Sequence, residues 1–365
     1  MNKLDIAREE INTIDKQMAQ LFEKRMKAAE LVAEYKKENG LPILDVSREE
    51  AIIENNTALI EKDEIKKYYV NFQRDVMKIS RNYQSSILTG MNVAFSGIEG
   101  AFAHIAAGKI FPDSHLISYP SFTLAYDAVV NGDCDCAVLP MENSTAGEVG
   151  QVIDLIFGGS LYINGIYELS ISQNLLGIKG ASISDISTVM SHIQALEQCD
   201  KYIKKHKFEA KMCDNTAIAA QKVAALGDKS VAAIASVETA QLYGLNVIEH
   251  NINENNQNTT RFAVLSRSEH IKETNKPDNH SVLVFAVRND AGALAKAIHI
   301  IGEHGFNMRM LKSRSYKGLL WKYYFYVELE GNLHTQNGKE MLDALSPLCD
   351  KLRVVGSFYN NIDLK

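Results

Sequence analysis

The sequence predicts a multidomain chain that is all-helical at its start, α/β in its middle and α+β at its end. Three observations predict this. Apolar residues recur at helical spacing from Leu4 to Tyr83; short buried runs then alternate with helical segments as far as Arg267; and a compact βαββαβ rhythm follows the polar stretch that begins at Ile271. A length of 365 residues allows two or three such domains.

The first helix is marked by a strict apolar heptad. Leu4, Ala7, Ile11, Ile14, Met18, Leu21, Ala28, Val32 and Tyr35 line one seam, and the tenth seam position is Arg25. Arg8 and Lys36 each stand one residue past a seam residue. A buried guanidinium is costly unless something anionic meets it, so the helix reads as built around a negatively charged ligand. The alternative is a helix interface in which Arg25 pairs with a Glu. At ~1.5 Å rise per residue, Arg8 and Lys36 are separated by roughly 42 Å and cannot grip one small molecule from one copy. If both are ligands, Arg8 serves a site completed by a partner chain, with two long helices antiparallel, which implies a dimer.

Glu38-Asn39-Gly40-Leu41-Pro42 ends that helix. A second is expected to begin near Ser47, where Ser47 and Glu50 form a capping-box pattern. A third is expected from about Asp63 to Gln84, with Ile65, Tyr69, Phe72, Val76, Ile79 and Tyr83 on one face. It carries Ser80 and Gln84 at i, i+4, pointing the same way. With Arg8, Arg25, Lys36 and the segment Asp45-Val46-Ser47-Arg48-Glu49, this collects cations, an acid pair and neutral donors, without nucleophile or histidine. Such a set suits binding a dicarboxylate and stabilising charge separation with no proton transfer. Helix capping is the competing reading for Asp45, Ser47 and Glu49.

A linker is expected at Thr89-Gly90. Val93-Ala94-Phe95, Cys136-Ala137-Val138-Leu139 and Val231-Ala232-Ala233-Ile234 read as buried strands, separated by helical segments such as 104–110, 122–130 and 216–226. This alternation predicts largely parallel sheets. Four polar stretches sit at element ends: Gly97–His104, Pro140–Gly147 (expected to open a helix), Asp214–Ala217, and Asn258–Phe262. Strand ends and helix N-termini are where α/β proteins bind anionic ligands. N-capping is the simpler reading of Ser144 or Thr216 taken singly.

Ile271–Asn279 reads as a second linker. Strands at 282–287, 307–312, 321–329 and 352–356, with helices at 292–303 and 340–345, then make a ferredoxin-like unit.

A net charge of −6 and the lack of an aromatic-rich basic cluster argue against nucleic-acid binding. No apolar run reaches the ~20 residues of a membrane span, and no signal peptide is visible. Cys134, Cys136, Cys199, Cys213 and Cys349 are odd in number and lack zinc spacing, which fits reduced thiols in a cytoplasmic protein. Gly97 and Gly100 fall short of a nucleotide fingerprint.

The helical segment, with its pattern of cations, acids and a terminal Ser-x-x-x-Gln, resembles the all-helical chorismate mutase family. That resemblance implies that Arg8 (from a partner), Arg25 and Arg48 hold carboxylates. It places Lys36 and Gln84 at the ether oxygen, Asp45 and Glu49 at the ring hydroxyl, and Ser80 at a carboxylate. The middle region resembles prephenate dehydratases, most specifically in Glu142-Asn143-Ser144 and Thr260-Arg261-Phe262. Ser191-His192-Ile193-Gln194-Ala195-Leu196 also matches, with Ile193 where that family usually has proline. This implies two lobes like those of periplasmic binding proteins, with prephenate between them losing carbon dioxide and its ring hydroxyl. Thr260 would assist the leaving hydroxyl. Glu142, Asn143, Ser144, Thr145, His192, Gln194, Asn215, Thr216, Arg261 and Phe262 would bind the substrate. Arg261 reads equally as an ion-pair partner, and His104 and His192 as base candidates or as packed polar groups.

The last region resembles the ACT regulatory domain through Gly292-Ala293-Leu294 and Phe306-Asn307-Met308, with Lys312-Ser313-Arg314-Ser315 where dehydratases usually have Glu-Ser-Arg-Pro. Gly292, Ala293, Leu294, Asn307, Ser313 and Arg314 would then bind an effector, with L-phenylalanine expected as feedback inhibitor; the alternative is a purely structural dimerisation domain. Taken together, the resemblance implies a bifunctional enzyme divided at 1–88, 91–268 and 280–365. It would work without metal or organic cofactor on chorismate and prephenate, as a homodimer or dimer of dimers. Two rivals stand beside it: a ligand-sensing binding module, and a dehydratase whose helical domain only dimerises.

Overall fold

The computed structural model describes residues 2–255, 257–270, 279–288, 290–315, 323–359 and 362–364. It separates into two compact units: a helical one, residues 1–92 with 113–115 and 132–134, and a second holding the rest. Among the described residues, no helix is long and apolar enough to cross a membrane.

The helical unit has three helices. α1 (Lys3–Glu38) starts at an Asn2–Asp5 capping box and runs 36 residues, uninterrupted because it contains neither Gly nor Pro. Gly40, at φ +62°, lies just beyond its end. Ala29 and Ala33 are its buried positions. The heptad seam is not buried within this chain: Leu4, Ile11, Ile14, Met18, Leu21, Val32 and Tyr35 are all exposed, Leu21 by 63%. α2 (Val46–Thr57) corrects the expected cap. Asp45 is the N-cap residue, accepting from the Arg48 amide at 3.1 Å, while the Ser47 hydroxyl donates to the Asp45 carboxylate at 2.9 Å. The earlier of two eligible cap residues starts the helix. α3 (Asp63–Thr89) runs past the expected end at Gln84 and stops at Gly90, whose φ is +79°.

The second unit begins with β1 (Asn92–Ser96), α4 (Phe102–Ile110), β2 (His115–Tyr119), α5 (Phe122–Val130), β3 (Cys136–Asn143), β4 (Gly147–Glu148), α6 (Gly150–Gly158) and β5 (Tyr162–Ser170). The chain then enters another lobe with β6 (Asn174–Gly177), β7 (Thr188–Ser191), α7 (Ile193–Gln198), α8 (Asp200–His206), β8 (Glu209–Met212), α9 (Thr216–Leu226), β9 (Val231–Ala235), α10 (Val237–Tyr243) and β10 (Asn246–Glu249). It returns along β11 (Thr259–Ser266), which lies between β3 and β5. The two crossings are bonded to each other: the Ile171 amide donates to Asn258 O at 2.7 Å, and the Ile252 amide to Gln173 O at 2.8 Å.

Two expectations are corrected here. The sheets are mixed rather than largely parallel. β1 with β3, and β7 with β8 and β9, are parallel, but β11 is antiparallel to β3 and β5, and β6 is antiparallel to β9 and β10. The returning strand β11 supplies the reversal in the larger sheet and β6 in the smaller one. Nor does Pro140–Gly147 open a helix: β3 continues through Asn143, paired with Thr260, and α6 starts only at Gly150.

The last part is β12 (Asn279–Val287), α11 (Ala293–Glu303), β13 (Met308–Ser315), β14 (Tyr323–Glu330), α12 (Gln336–Leu345), β15 (Cys349–Tyr359) and β16 (Ile362–Leu364). Its strands lie in the order β13-β14-β12-β15, all antiparallel, the ferredoxin-like arrangement expected from the rhythm. Trp321, the expected start of the third strand, and residues 271–278 of the expected linker lie outside the described residues. β15 meets β5 where Gly356 pairs with Ile163, and β16 lies along β5, so one eleven-stranded sheet runs through both parts. A Cβ at Gly356 would stand 2.1 Å from the Ile163 carbonyl oxygen, so only glycine allows that contact.

Candidate active sites

In the helical unit a cavity of about 230 Å³ lies against α1, α2 and α3. Lys36, Arg25, Asp45, Arg48, Glu49, Ser80 and Gln84 all line it, over a floor that includes Ala28, Ala29, Val32, Ile52 and Met77. Arg8 does not line it and is exposed. The Arg25 guanidinium donates to the Ser80 hydroxyl, fixing it across α1 and α3. Burial lowers the Arg25 pKa, opposed by the nearby Glu49 carboxylate. Lys36 donates to the Ile43 carbonyl. Asp45 is held below its ordinary pKa first by the Arg48 amide and then by the Ser47 hydroxyl. Gln84 is only 8% exposed, and its Oε1 has no hydrogen-bond partner. A buried amide oxygen left so is uncommon. Sequence reasoning missed Arg81, which lines the same cavity and donates from Nη1 to both carboxylate oxygens of Glu49. It falls inside the Ser-x-x-x-Gln spacing, where no periodicity singles it out. The set suits an anionic ligand and offers donors, with no cysteine or histidine among the lining residues.

A second cavity, about 400 Å³, lies between the two lobes of the second unit. Asn143, Thr260 and Phe262 line it from one lobe, and His192, Gln194, Asn215 and Thr216 from the other. α4 and α9 are among the helices that begin on it. The N-terminus of α4 at Ala101–Ala103 has no side-chain cap, and α9 starts at Thr216 with Asn215 accepting from the Ile218 amide at 2.7 Å. First-turn amides from two helices suit a ligand with carboxylates. Burial lowers the His192 pKa, with Asp214 and Glu197 opposing. Its Nδ1 accepts from the Gln194 amide at 3.3 Å. His104 is also lowered, by burial against the opposing Glu99; its Nδ1 accepts from the Gly100 amide.

A chain of amides reaches Thr260. Asn143 Nδ2 donates to Thr260 Oγ at 2.9 Å and to Asn258 Oδ1 at 2.8 Å, while Asn143 Oδ1 accepts from the Thr145 and Ala146 amides. Asn258 Nδ2 donates in turn to Gln198 Oε1 at 3.0 Å. Because Thr260 Oγ accepts from Asn143, its hydroxyl hydrogen is left for the cavity. Gln173 and Gln198 both line the cavity, and sequence reasoning assigned neither; Gln173 is 2% exposed with Oε1 unpartnered.

Four residues of the expected dehydratase set stand off this wall. Ser144 accepts from the Thr259 amide at 3.0 Å and donates to Gln257 O, tying β3 to β11 rather than capping a helix. Thr145 sits in the same turn, where its hydroxyl donates to Asn258 Oδ1 at 3.4 Å. Arg261 is on the opposite face of β11 from Thr260 and Phe262, as strand alternation requires. Its guanidinium makes a two-point contact with Glu328 of β14, at 3.1 and 2.9 Å, and lies 3.5 Å from Glu142. Burial alone would lower its pKa, but the bonded Glu328 overrides this and raises it. Glu142 accepts from Lys312 at 2.7 Å.

Of the expected effector residues, Gly292 (φ +80°) caps α11, whose first residues are Ala293 and Leu294. Asn307 donates to Glu330 at 3.0 Å, Ser313 is exposed, and Arg314 donates to Asp154 at 2.9 Å and to Glu148.

Comparison with known proteins finds a match for both regions of the chain. The chorismate mutase type II family model matches residues 7–85 and the prephenate dehydratase model residues 93–270. A bifunctional chorismate mutase/prephenate dehydratase from Enterobacter agglomerans is 31% identical over 98% of this chain and 96% of that protein. Prephenate dehydratase from Arthrobacter aurescens, solved in complex with L-Phe, superposes with a TM-score of 0.69 at 25% identity, over 74% of this chain and 90% of that one. GqqA, described as a novel type of quorum quenching acylase, superposes at 0.68 and 29% identity over 73% and 97%.

Proposed function

This chain belongs to the bifunctional chorismate mutase/prephenate dehydratase family, and we propose that its helical cavity performs the mutase step and its interlobe cavity the dehydratase step. The protein is an enzyme of phenylalanine biosynthesis that rearranges chorismate to prephenate and converts prephenate to phenylpyruvate. One observation carries the assignment of sites: residues scattered along each region's sequence converge on one cavity apiece, seven of eight in the first and seven of eleven in the second.

In the mutase step an ether C–O bond breaks as a C–C bond forms, and no proton moves. Arg25, Arg48 and Ser80 take the two carboxylates and hold the compact conformer. Lys36 and the Gln84 amide face the ether oxygen as negative charge builds there, and Asp45 and Glu49 meet the ring hydroxyl. Catalysis is positional and electrostatic. Arg8 comes from a second copy across the exposed α1 seam, making the working unit a homodimer or a dimer of dimers.

In the dehydratase step the electron pair of the bond to the ring carboxylate flows into the ring as carbon dioxide leaves. The ring hydroxyl departs as hydroxide, held by a hydrogen bond, and becomes water by taking a proton from solvent. Thr260, primed by Asn143, donates to that hydroxyl, and the amides opening α4 and α9 hold the carboxylates. Aromatisation supplies much of the driving force, so a hydrogen bond from a weak acid suffices.

The C-terminal βαββαβ unit is read as an ACT domain through which L-phenylalanine inhibits. The fold and the L-Phe complex of the Arthrobacter relative support this. The domains then run 1–88, 91–268 and 280–365, in a cytoplasmic enzyme. Two variants test the assignment of sites. Arg25→Leu is expected to stop chorismate consumption while added prephenate is still converted, whereas Thr260→Ala is expected to let prephenate accumulate from chorismate. An Arg25→Leu protein with normal chorismate turnover would return the helical unit to a dimerisation role.

A further inference from the structure

We propose that Arg81 is a positioning residue of the mutase site, acting through Glu49; this rests on the assignment of the mutase step to the helical cavity. Arg81 stands on α3 beside Ser80, and Glu49 on the first turn of α2. The guanidinium reaches both carboxylate oxygens, and the two side chains are only 29% and 26% exposed. Such a pair is less screened than one on the open surface.

The charge of the cavity depends on it. Arg25, Lys36, Arg48 and Arg81 line the wall against Asp45 and Glu49, leaving a net charge of +2 that complements a dicarboxylate. Without Arg81 the excess falls to one, and the carboxylate left unpaired would repel both carboxylates of the substrate.

Geometry gives the pair a second consequence. Glu49 already acts electrostatically on Arg25, the guanidinium that bonds Ser80. Freed from Arg81, Glu49 has Arg25 as a competing partner, and an Arg25 so engaged is withdrawn from the substrate. Arg81 therefore keeps two groups in place, Glu49 directly and Arg25 by removing its rival.

The test uses the full-length protein and chorismate turnover in wild type, Arg81→Gln, Arg81→Lys, Glu49→Gln and the Glu49→Gln/Arg81→Gln double variant. Arg81→Gln is expected to lower kcat/KM by about tenfold or more, mostly through KM, because substrate carboxylates now meet a free Glu49. Arg81→Lys is expected to recover part of the loss by restoring the charge. The double variant is expected to be no worse than Glu49→Gln alone, because once Glu49 is neutral Arg81 has nothing to hold. Wild-type turnover in Arg81→Gln overturns the proposal, as do losses that multiply in the double variant, since Arg81 would then act on substrate independently of Glu49. If Arg81→Gln fails to fold, the comparisons of Arg81→Lys with wild type and of the double variant with Glu49→Gln still decide. A wild type that leaves chorismate untouched overturns the mutase assignment itself, and this proposal with it.

Discussion

Asn143 sets the direction in which Thr260 can act. Its Nδ2 donates to the threonine oxygen and to Asn258 Oδ1 while its Oδ1 is held by two backbone amides, so the side-chain amide cannot reverse without disrupting four bonds. Asn143→Asp would replace the donor with an acceptor and turn the Thr260 hydrogen away from substrate. Phenylpyruvate formation from prephenate is expected to fall by roughly 10²-fold, with Thr260→Ser keeping most of the activity; initial rates on added prephenate check both. Thr260 and Phe262 were legible as cavity residues from their motif, whereas Arg261, which the sequence left open between substrate and an ion pair, is turned to the other face of β11 and bound to Glu328. Gln173 and Gln198 were not legible, because nothing local distinguishes a glutamine that ends a crossover or a short helix from a solvated one. Arg8 is visible to heptad reasoning as a cation near the seam, but its role depends on a copy that the chain's own fold does not supply.

Among the elements, the junction of β11 with the C-terminal sheet is held by charge. Arg261 is bound by Glu328, which is 3% exposed and also accepts from the Tyr326 hydroxyl at 2.8 Å. Lys312 stands where the family pattern has Glu, and it meets Glu142; a glutamate there would meet like charge. Arg261 keeps Glu142 and Glu168 at 3.5 and 3.9 Å but loses its two close bonds, so Glu328→Gln is expected to destabilise the second unit by about 1.5–3 kcal/mol in urea unfolding. Arg261→Met with Glu328→Leu is expected to recover most of that loss. Helices with strong period, such as α1 and α5, were legible because their signal is local. The extension of β3 through Asn143 was not, since it depends on pairing with β11 more than a hundred residues later. The start of α2 was misplaced because Asp45 and Ser47 both offer a cap.

At the scale of the whole molecule, α1 leaves an apolar stripe from Leu4 to Tyr35 uncovered in one chain. Stripes of that length on a helix are the mark of a partner helix, and in the proposed dimer a second copy lies there and brings its Arg8 to the mutase cavity. Leu21→Glu is therefore expected to lower the mass measured by sedimentation velocity and to reduce chorismate consumption together. A dissociated protein with full mutase activity would remove Arg8 from the site. The three-part organisation was legible from changes of period along the chain; the single sheet running from the interlobe domain into the C-terminal one was not, because it hinges on Gly356 approaching Ile163.

The most direct measurement follows purified protein given chorismate, with prephenate and phenylpyruvate quantified over time, with and without L-phenylalanine. Phenylpyruvate is expected to appear by way of prephenate, and its formation to slow when L-phenylalanine is added. Chorismate left untouched while added prephenate is converted would contradict the mutase site, and conversion of neither would contradict the account as a whole.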